Sequence, residues 1–364
     1  MSSDFEEFID KEYPQLNNTA YFDYKSSGLV SNSQRDRLNE LSQQILSSPH
    51  SSEDQSEFDR ISALFRKSIA DMFSTSLINY TVIFFPSPQA ALDCIFEGFP
   101  WTRGSHYIFH ESFQIQNDTA ILFAEKLGAS LASTESSSSA HSLFCVTYTP
   151  TNLEKAKNFA KKSSGLNHIL FDATQAAPFD LIDLSNNSVD FILLSMKKIC
   201  GIELCPTLIR LDTAEQISPL FYGGGAVAFS CARGLIHRSF KSHVKRLENG
   251  TPPMINIFEA FEGLNLMRKM KSQYDVVGNV NEVMKFFIDV LQKYPQVRFK
   301  VNEELKLVAF EVDGVDANEL RMEFIRNKVI FGIDGNDLVA SFGIANRKRD
   351  VEMFDNVFQR VLNK

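Results

Sequence analysis

Residues 190–201 read DFILLSMKKICG: an acid, an apolar run, a serine, then two adjacent lysines followed by more apolar residues and a glycine. The run has the length and composition of a buried strand, and polar residues gather where it ends. Lysine is almost never fully buried, so a lysine pair after a strand reads first as the solvated start of a loop. The alternative is a desolvated amine with a lowered pKa, placed to form a Schiff base with an aldehyde. That chemistry requires an electron-sink partner nearby.

The surrounding sequence repeats the order of strand then helix. TVIFF (81–85) leads through a proline-bearing turn into the apolar AALDCIFEGF (90–99), and HYIFH (106–110) precedes a helical stretch. SLFCVTYT (142–149) precedes LEKAKNFAKKS (153–163), and HILFDA (168–173) and DFILLS (190–195) read as further strands. Helical periodicity covers 32–47 and 54–73. Such alternation predicts an α/β fold with a mostly parallel sheet and helices on both faces. In open sheets of this kind sites form beyond the carboxyl ends of the strands. His110, Asn152, Asp172, Gln175, Ser195 and Lys198 all fall there. The serine-rich 129–142 predicts a surface loop, and the chain shows no internal repeat.

From about residue 255 the pattern changes to one long amphipathic helix (255–292), strands within 297–312, a helix over 316–327, short strands, and a last helix from about 348. The expected domains are therefore 1–255, an N-terminal segment and large domain, and 256–364, a small α+β domain.

Composition sets the class. The 364 residues, 44% hydrophobic and 23% charged, are enough for a sizeable core. A formal charge of −8 with no basic stripe argues against nucleic acid. The five cysteines, at 94, 145, 200, 205 and 231, show no CxxC spacing or disulfide-dense pattern and read as free thiols in a reducing compartment, with no metal site. The acidic N-terminus lacks a secretory pattern and no apolar run reaches the roughly 20 residues of a membrane span, so the expected location is the cytoplasm.

Asp172-Ala-Thr-Gln175, Val189-Asp190, Ser195-Met-Lys-Lys198 and Gly201 together resemble the D-x-x-Q … D … S-x-x-K core of fold-type I pyridoxal-phosphate (PLP) enzymes of the class V aminotransferase and cysteine desulfurase group. Within that group the likeness is nearest to the N-terminal domain of molybdenum cofactor sulfurases. It is supported by YPQLNNTAYFDYKSSGLVSNSQ (13–34), SSPHS (47–51), NYTVIF (79–84), EGFPW (97–101), YGGGAV (222–227) and RLENGTPP (246–253). The resemblance covers nearly the whole chain. It implies PLP as cofactor, Lys198 rather than Lys197 as the Schiff-base lysine, and Asp172 as the group that keeps the pyridine nitrogen protonated. It implies Gln175 at the ring hydroxyl with Asn152 near the same oxygen, and His110 stacked on the ring and able to shuttle protons. Read alone, His110 is equally a strand-end histidine satisfied by backbone. Ser195 matches a phosphate ligand. Thr251 matches the threonine that reaches the partner subunit's phosphate, which implies a homodimer. Gly223–Gly225 are open to a second reading, as a tight turn.

The departures bear on function. Where the group carries a Gly-Ser-Thr-like phosphate turn, this chain has Pro86-Ser87-Pro88-Gln89. Ser87, Gln89 and the N–H groups of Ala90 and Ala91 are the expected remaining contributors. The group's mobile loop with a persulfide-forming cysteine has no counterpart, since no cysteine follows Cys231 and NKVIFGIDGND (327–337) runs from one strand directly to the next. Val339 stands where a carboxylate-binding arginine is expected, with Arg347 as a substitute. The group's usual persulfide route is therefore not expected. One hypothesis is a PLP lyase or transferase acting at Cα or Cβ of cysteine or another small amino acid. The alternative is a degenerate paralogue that works as a binding or scaffolding protein. A third is that Cys200 or Cys205 replaces the missing nucleophile.

Overall fold

A computed structural model describes residues 3–43, 57–115, 118–134, 140–162, 166–176, 179, 182–218, 226–231, 236–239, 242–248, 250 and 252–362, with the backbone alone at 227–231 and 236–239. In chain order the strands are β1 (Ala20–Phe22), β2 (Tyr80–Phe85), β3 (His106–Phe109), β4 (Ser130–Leu131), β5 (Ser142–Thr147), β6 (Asn167–Asp172), β7 (Phe191–Leu193), β8 (Cys205–Arg210), β9 (Val227–Cys231), β10 (Ile236–Ser239), β11 (Val297–Asn302), β12 (Leu307–Val312), β13 (Val329–Asp334) and β14 (Asp337–Ser341). The helices are α1 (Ser3–Glu12), α2 (Asn32–Ser42), α3 (Glu57–Met72), α4 (Pro88–Gly98), α5 (Asp118–Lys126), α6 (Pro150–Ala160), α7 (Met196–Cys200), α8 (Leu211–Gln216), α9 (His243–Leu247), α10 (Met254–Gln273), α11 (Val276–Leu291), α12 (Ala317–Arg326) and α13 (Lys348–Leu362). They group into a larger compact unit, Leu41–Met196 with Glu203–Phe261, and a smaller one, Met1–Glu40 with Lys197–Ile202 and Glu262–Lys364.

The larger unit is built on a seven-stranded sheet in the order β2-β8-β7-β6-β5-β3-β4. From β7 to β4 every pairing is parallel, while β8 runs antiparallel to both β7 and β2. Strands such as Leu143–Val146 and Ile169–Phe171 are apolar throughout because both faces of the sheet are covered. Ser87 and Thr149 cap α4 and α6, and a proline at the first helical position of each fits the missing N–H and fixed φ of that site. The buried stripe Ala91, Leu92, Ile95 and Phe96 then packs α4 into the core, where each large apolar side chain contributes about 1.5–3 kcal/mol.

The sequence pattern gives no signal for β8. Pro206 faces Phe84 in the β2–β8 register, and its O accepts from Leu194 N at 3.1 Å. Ser130–Leu131, inside the serine-rich stretch expected to be loop, forms the short edge strand β4, and 135–139 of that stretch lie outside the described residues.

The smaller unit holds a five-stranded sheet in the order β1-β13-β14-β12-β11, antiparallel except for β1, which lies parallel to β13 with Ala20 opposite Val329. The N-terminal segment thus supplies an edge strand to the C-terminal sheet. Its core is aromatic: Phe287 stacks on Phe354 at 4.7 Å and Phe22 on Phe331 at 5.3 Å. The single helix expected over 255–292 is two. α10 ends at Gln273, and Asp275 caps α11 by accepting from Gly278 N at 2.9 Å, so the aspartate starts a new helix rather than continuing the old one. Among the described residues no helix is long and apolar enough to cross a membrane.

Candidate active site

β2 and β7 are both antiparallel to β8, so β2, β7, β6, β5 and β3 all run the same way. Their carboxyl ends share one edge of the sheet, with neighbouring strands about 4.8 Å apart. Ser87 and Gln89, Ser195, Asp172 and Gln175, Asn152, and His110 come after those ends in that spatial order. The larger unit therefore gathers seven of the nine candidates along a single edge.

Asp172 is the last residue of β6 and 5% exposed. Its Oδ1 accepts from Thr174 N at 2.9 Å, and its other carboxylate oxygen takes no hydrogen bond among the described residues. Its position is fixed from both sides, since Tyr148 N donates to Asp172 O at 2.9 Å and Ala173 N to Leu193 O at 3.0 Å. Gln175 lies half-buried in the turn after β6. Ser195, 4% exposed, sits between Leu194 and Met196, whose N–H groups bond to Pro206 O and Leu204 O. Asp190 belongs to the opposite end. Burial raises its pKa, but the hydrogen bond from His168 and the charges of His168 and Arg210 outweigh this and leave it lowered. It also accepts from Thr213 Oγ1 at 2.8 Å.

His110 joins a network that the sequence did not announce. Its Nδ1 lies 2.8 Å from Ser112 Oγ and its Nε2 lies 3.1 Å from Lys155 Nζ. Ser112 N donates to the same Nδ1 at 3.2 Å, and an ammonium can only donate, so both ring nitrogens face donors and the imidazole is held neutral. Burial, then the charge of Lys155, pushes the His110 pKa down. Asn152, 6% exposed, donates its two amide hydrogens to Ser112 Oγ (3.2 Å) and Thr147 O (2.9 Å), which holds Ser112 in place. Ser112 and Lys155 lie in polar stretches, and only the fold shows that they meet His110.

At the end of β2, Ser87 is extended (φ −155°, ψ 162°) and its Oγ accepts from Ala90 N. Ala91 N donates to Ser87 O at 3.1 Å. The expectation that the Ala90 and Ala91 N–H groups are available to an anion is thereby corrected: the cap and the first helical bond have taken them. Pro88 has no N–H. Ser87 Oγ is only an acceptor in its cap bond, so its hydroxyl hydrogen can still be donated.

Two candidates remain. Lys198 is half-buried and Lys197 exposed on α7, in the segment grouped with the smaller unit. There Gly28 N donates to Lys197 O at 2.8 Å, and a Cβ on Gly28 would lie 2.8 Å from Lys198 O, so only glycine fits. Gly201, at φ +78°, closes α7. Thr251 and Gly223–Gly225 lie outside the described residues.

Two substitutes fail. Arg347 is fully buried, and its guanidinium bonds to Asp10 Oδ1 at 2.6 Å and Leu16 O at 3.3 Å, so it serves the core of the smaller unit rather than a substrate. Val339 is 4% exposed in β14, between Ala309 and Gly332 of the adjacent strands. Cys205 is fully buried, and burial pushes its thiol up to about 12 against the Thr207 hydrogen bond, with a smaller push from the charge of Asp172. Cys200 is 3% exposed, with Gln34 Nε2 bonded to its O at 3.1 Å. Burial of these thiols overturns their reading as nucleophiles. Two cavities occur elsewhere, one lined by Phe5, Tyr274 and Asn279 in the smaller unit, the other by Tyr80, Asn187 and Arg210 at the amino edge of the large sheet.

Residues 146–354 match the family described as Aminotransferase class-V. A molybdenum cofactor sulfurase of Drosophila grimshawi is 24% identical over 314 residues, covering 73% of this chain and 40% of that protein. The chain thus spans about two fifths of that relative's length. An apo cysteine desulfurase of Thermococcus onnurineus NA1 superposes with a TM-score of 0.83 at 17% identity, covering 98% of both chains. The cystine C–S lyase C-DES, solved with its reaction product cysteine persulfide, superposes with a TM-score of 0.76 at 15% identity, covering 95% of this chain and 98% of that one. These structures share the fold.

Proposed function

The chain belongs to the class-V aminotransferase family, and from that premise we propose that it is a PLP-dependent C–S lyase acting on cysteine, cystine or a related small amino acid. One observation carries the choice of lyase over desulfurase. β13 passes into β14 through the two residues Gly335 and Asn336, with Gly335 at φ +60°, as a type II′ hairpin turn uses. No loop is present there to carry a nucleophilic cysteine, and Cys94, Cys145, Cys200 and Cys205 are all buried. Elimination of the substrate's own sulfur needs no enzyme thiol.

The residues of the large sheet suit the cofactor. The second carboxylate oxygen of buried Asp172, which takes no hydrogen bond among the described residues, is an acceptor of the kind a protonated pyridine nitrogen requires. PLP, when bound, supplies an electron sink for negative charge at the substrate Cα. Lys198 is the residue that would hold it covalently, with Gln175 at the ring hydroxyl and Ser195 and Ser87 at the phosphate. Asn152 acts through Ser112, and Ser112 holds the His110 ring through its N–H and hydroxyl. His110, kept neutral beside Lys155, has a ring nitrogen that can take a proton once the ammonium yields its place. Lys198 is the second base. By the same family likeness the protein works as a homodimer.

A specific observation favours the second reading, a binding or scaffolding paralogue: the phosphate turn retains few donors because Ala90 and Ala91 have bonded theirs to Ser87. Incubation with PLP and L-cysteine or L-cystine, with assay of sulfide, persulfide and pyruvate, separates the two. Release of sulfur and pyruvate in equal amounts supports the lyase. No release, with PLP bound or unbound, supports the paralogue.

A further inference from the structure

Among the described residues β2 is an edge strand of the large sheet, so the outward backbone groups of Val82 and Phe84 have no strand there to pair with. Two of them, Phe84 N and Val82 O, are satisfied by an ion pair. Glu248, directly after α9, accepts from Phe84 N through Oε1 at 3.0 Å, and the same oxygen accepts from Arg66 NH2 of α3 at 2.8 Å. Arg66 NH1 donates to Val82 O, and the guanidinium lies 4.0 Å from the centre of the Phe84 ring. Both side chains are largely buried, at 11% and 5% exposure. A surface ion pair would contribute little, whereas a buried one with its hydrogen bonds matched fixes geometry.

The clamp lies three residues from the candidate phosphate turn. Phe85, Pro86 and Ser87 lead straight from Phe84 to the N-terminus of α4, with Pro86 limiting φ and Ser87 extended. So stiff a connection carries any displacement of Phe84 to the Ser87 hydroxyl and the first turn of α4. Because its N–H points outward, Phe84 exchanges no backbone hydrogen bond with its register partner Pro206. The outward bond to Glu248 is therefore the restraint on the Phe84 amide that the sheet does not supply.

We infer that Arg66 and Glu248 are positioning residues for the anion-binding turn at Ser87, acting through β2 to set its affinity for the phosphate of the cofactor. The inference rests on the proposal that PLP binds here. The test compares PLP with pyridoxal, which lacks the phosphate, on the full chain, by titrating the visible absorbance of the borohydride-reducible adduct in wild type, Glu248→Ala, Glu248→Gln and Arg66→Lys. Glu248→Ala weakens PLP by about tenfold, the scale of one charge-assisted hydrogen bond, and leaves pyridoxal within about twofold. Glu248→Gln keeps an acceptor for Phe84 N and falls between, and it supplies the measurement if Glu248→Ala does not fold. Equal weakening of PLP and pyridoxal, or none of either, overturns the positioning role. A wild type that forms no adduct with either aldehyde overturns the cofactor reading itself, and the inference with it.

Discussion

Asp334 and Asp337 are register partners, closing the β13–β14 hairpin around Gly335 and Asn336 alone. Two like charges opposed on exposed strand ends gain nothing from each other, but Lys25 Nζ reaches Asp334 Oδ2 at 2.9 Å and offsets the repulsion. The hairpin is therefore a finished surface element of the smaller unit, with its backbone paired to the last residue.

Mass spectrometry of the protein after L-cysteine and PLP should show no sulfur added to Cys94, Cys145, Cys200 or Cys205, all buried. The buried Cys94 thiol, like that of Cys205, is pushed up to about 12, chiefly by burial, and is protonated at neutral pH. A persulfide on one of these thiols would contradict the lyase route.

Arg347→Ala should lower stability by about 3–5 kcal/mol, because it strands the buried Asp350 beside an emptied site, while Asp10 keeps its pair with Arg349. The denaturation midpoint checks this. An unchanged midpoint with a raised substrate KM would instead return Arg347 to the substrate.

His110 has a lowered pKa, so the folded state resists its protonation. The unfolded state binds more protons as pH falls through the ordinary histidine range, near 6.5, and folded stability drops across that range and no further once the folded group has also titrated. Lys155→Met removes the second cause of the shift. The His110 ring proton resonances should then titrate at higher pH than in wild type. An unmoved titration would show that Lys155 does not act on His110.

Much of this was legible because the signals were local. Buried apolar runs with polar residues at their carboxyl ends mark the parallel strands, and the Asp172, Gln175, Ser195 and Lys198 spacing marks a family. Other features were not. β8 hid behind Pro206, which costs no bond to β2 because its register partner Phe84 turns its N–H outward to Glu248, and which lies just past the end of the β7–β8 ladder. The helix break at Asp275 hid within one apolar pattern, since a capping aspartate reads in sequence like any exposed acid. The pairing of β1 with β13, like the meetings of His110 with Lys155 and Arg66 with Glu248, joins residues far apart in the chain, where periodicity carries no information. Ala90 and Ala91 looked like donors because a sequence shows that an N–H exists, not where it is spent.

Asp172→Asn keeps an oxygen for Thr174 N but loses the negative charge. Its affinity for PLP should fall by about tenfold, read by the same absorbance titration, with the larger loss in turnover. Wild-type affinity and turnover in the variant would remove Asp172 from the site.

The most direct measurement is the visible spectrum of the purified protein with PLP added, before and after borohydride, alongside Lys198→Ala and Lys197→Ala. A visible band that borohydride bleaches in wild type and Lys197→Ala, with the cofactor then recovered covalently on the peptide containing Lys198, and no such band in Lys198→Ala, is the predicted result. No band in wild type, or a band that survives in Lys198→Ala, would contradict the proposal that this chain is a PLP enzyme working through Lys198.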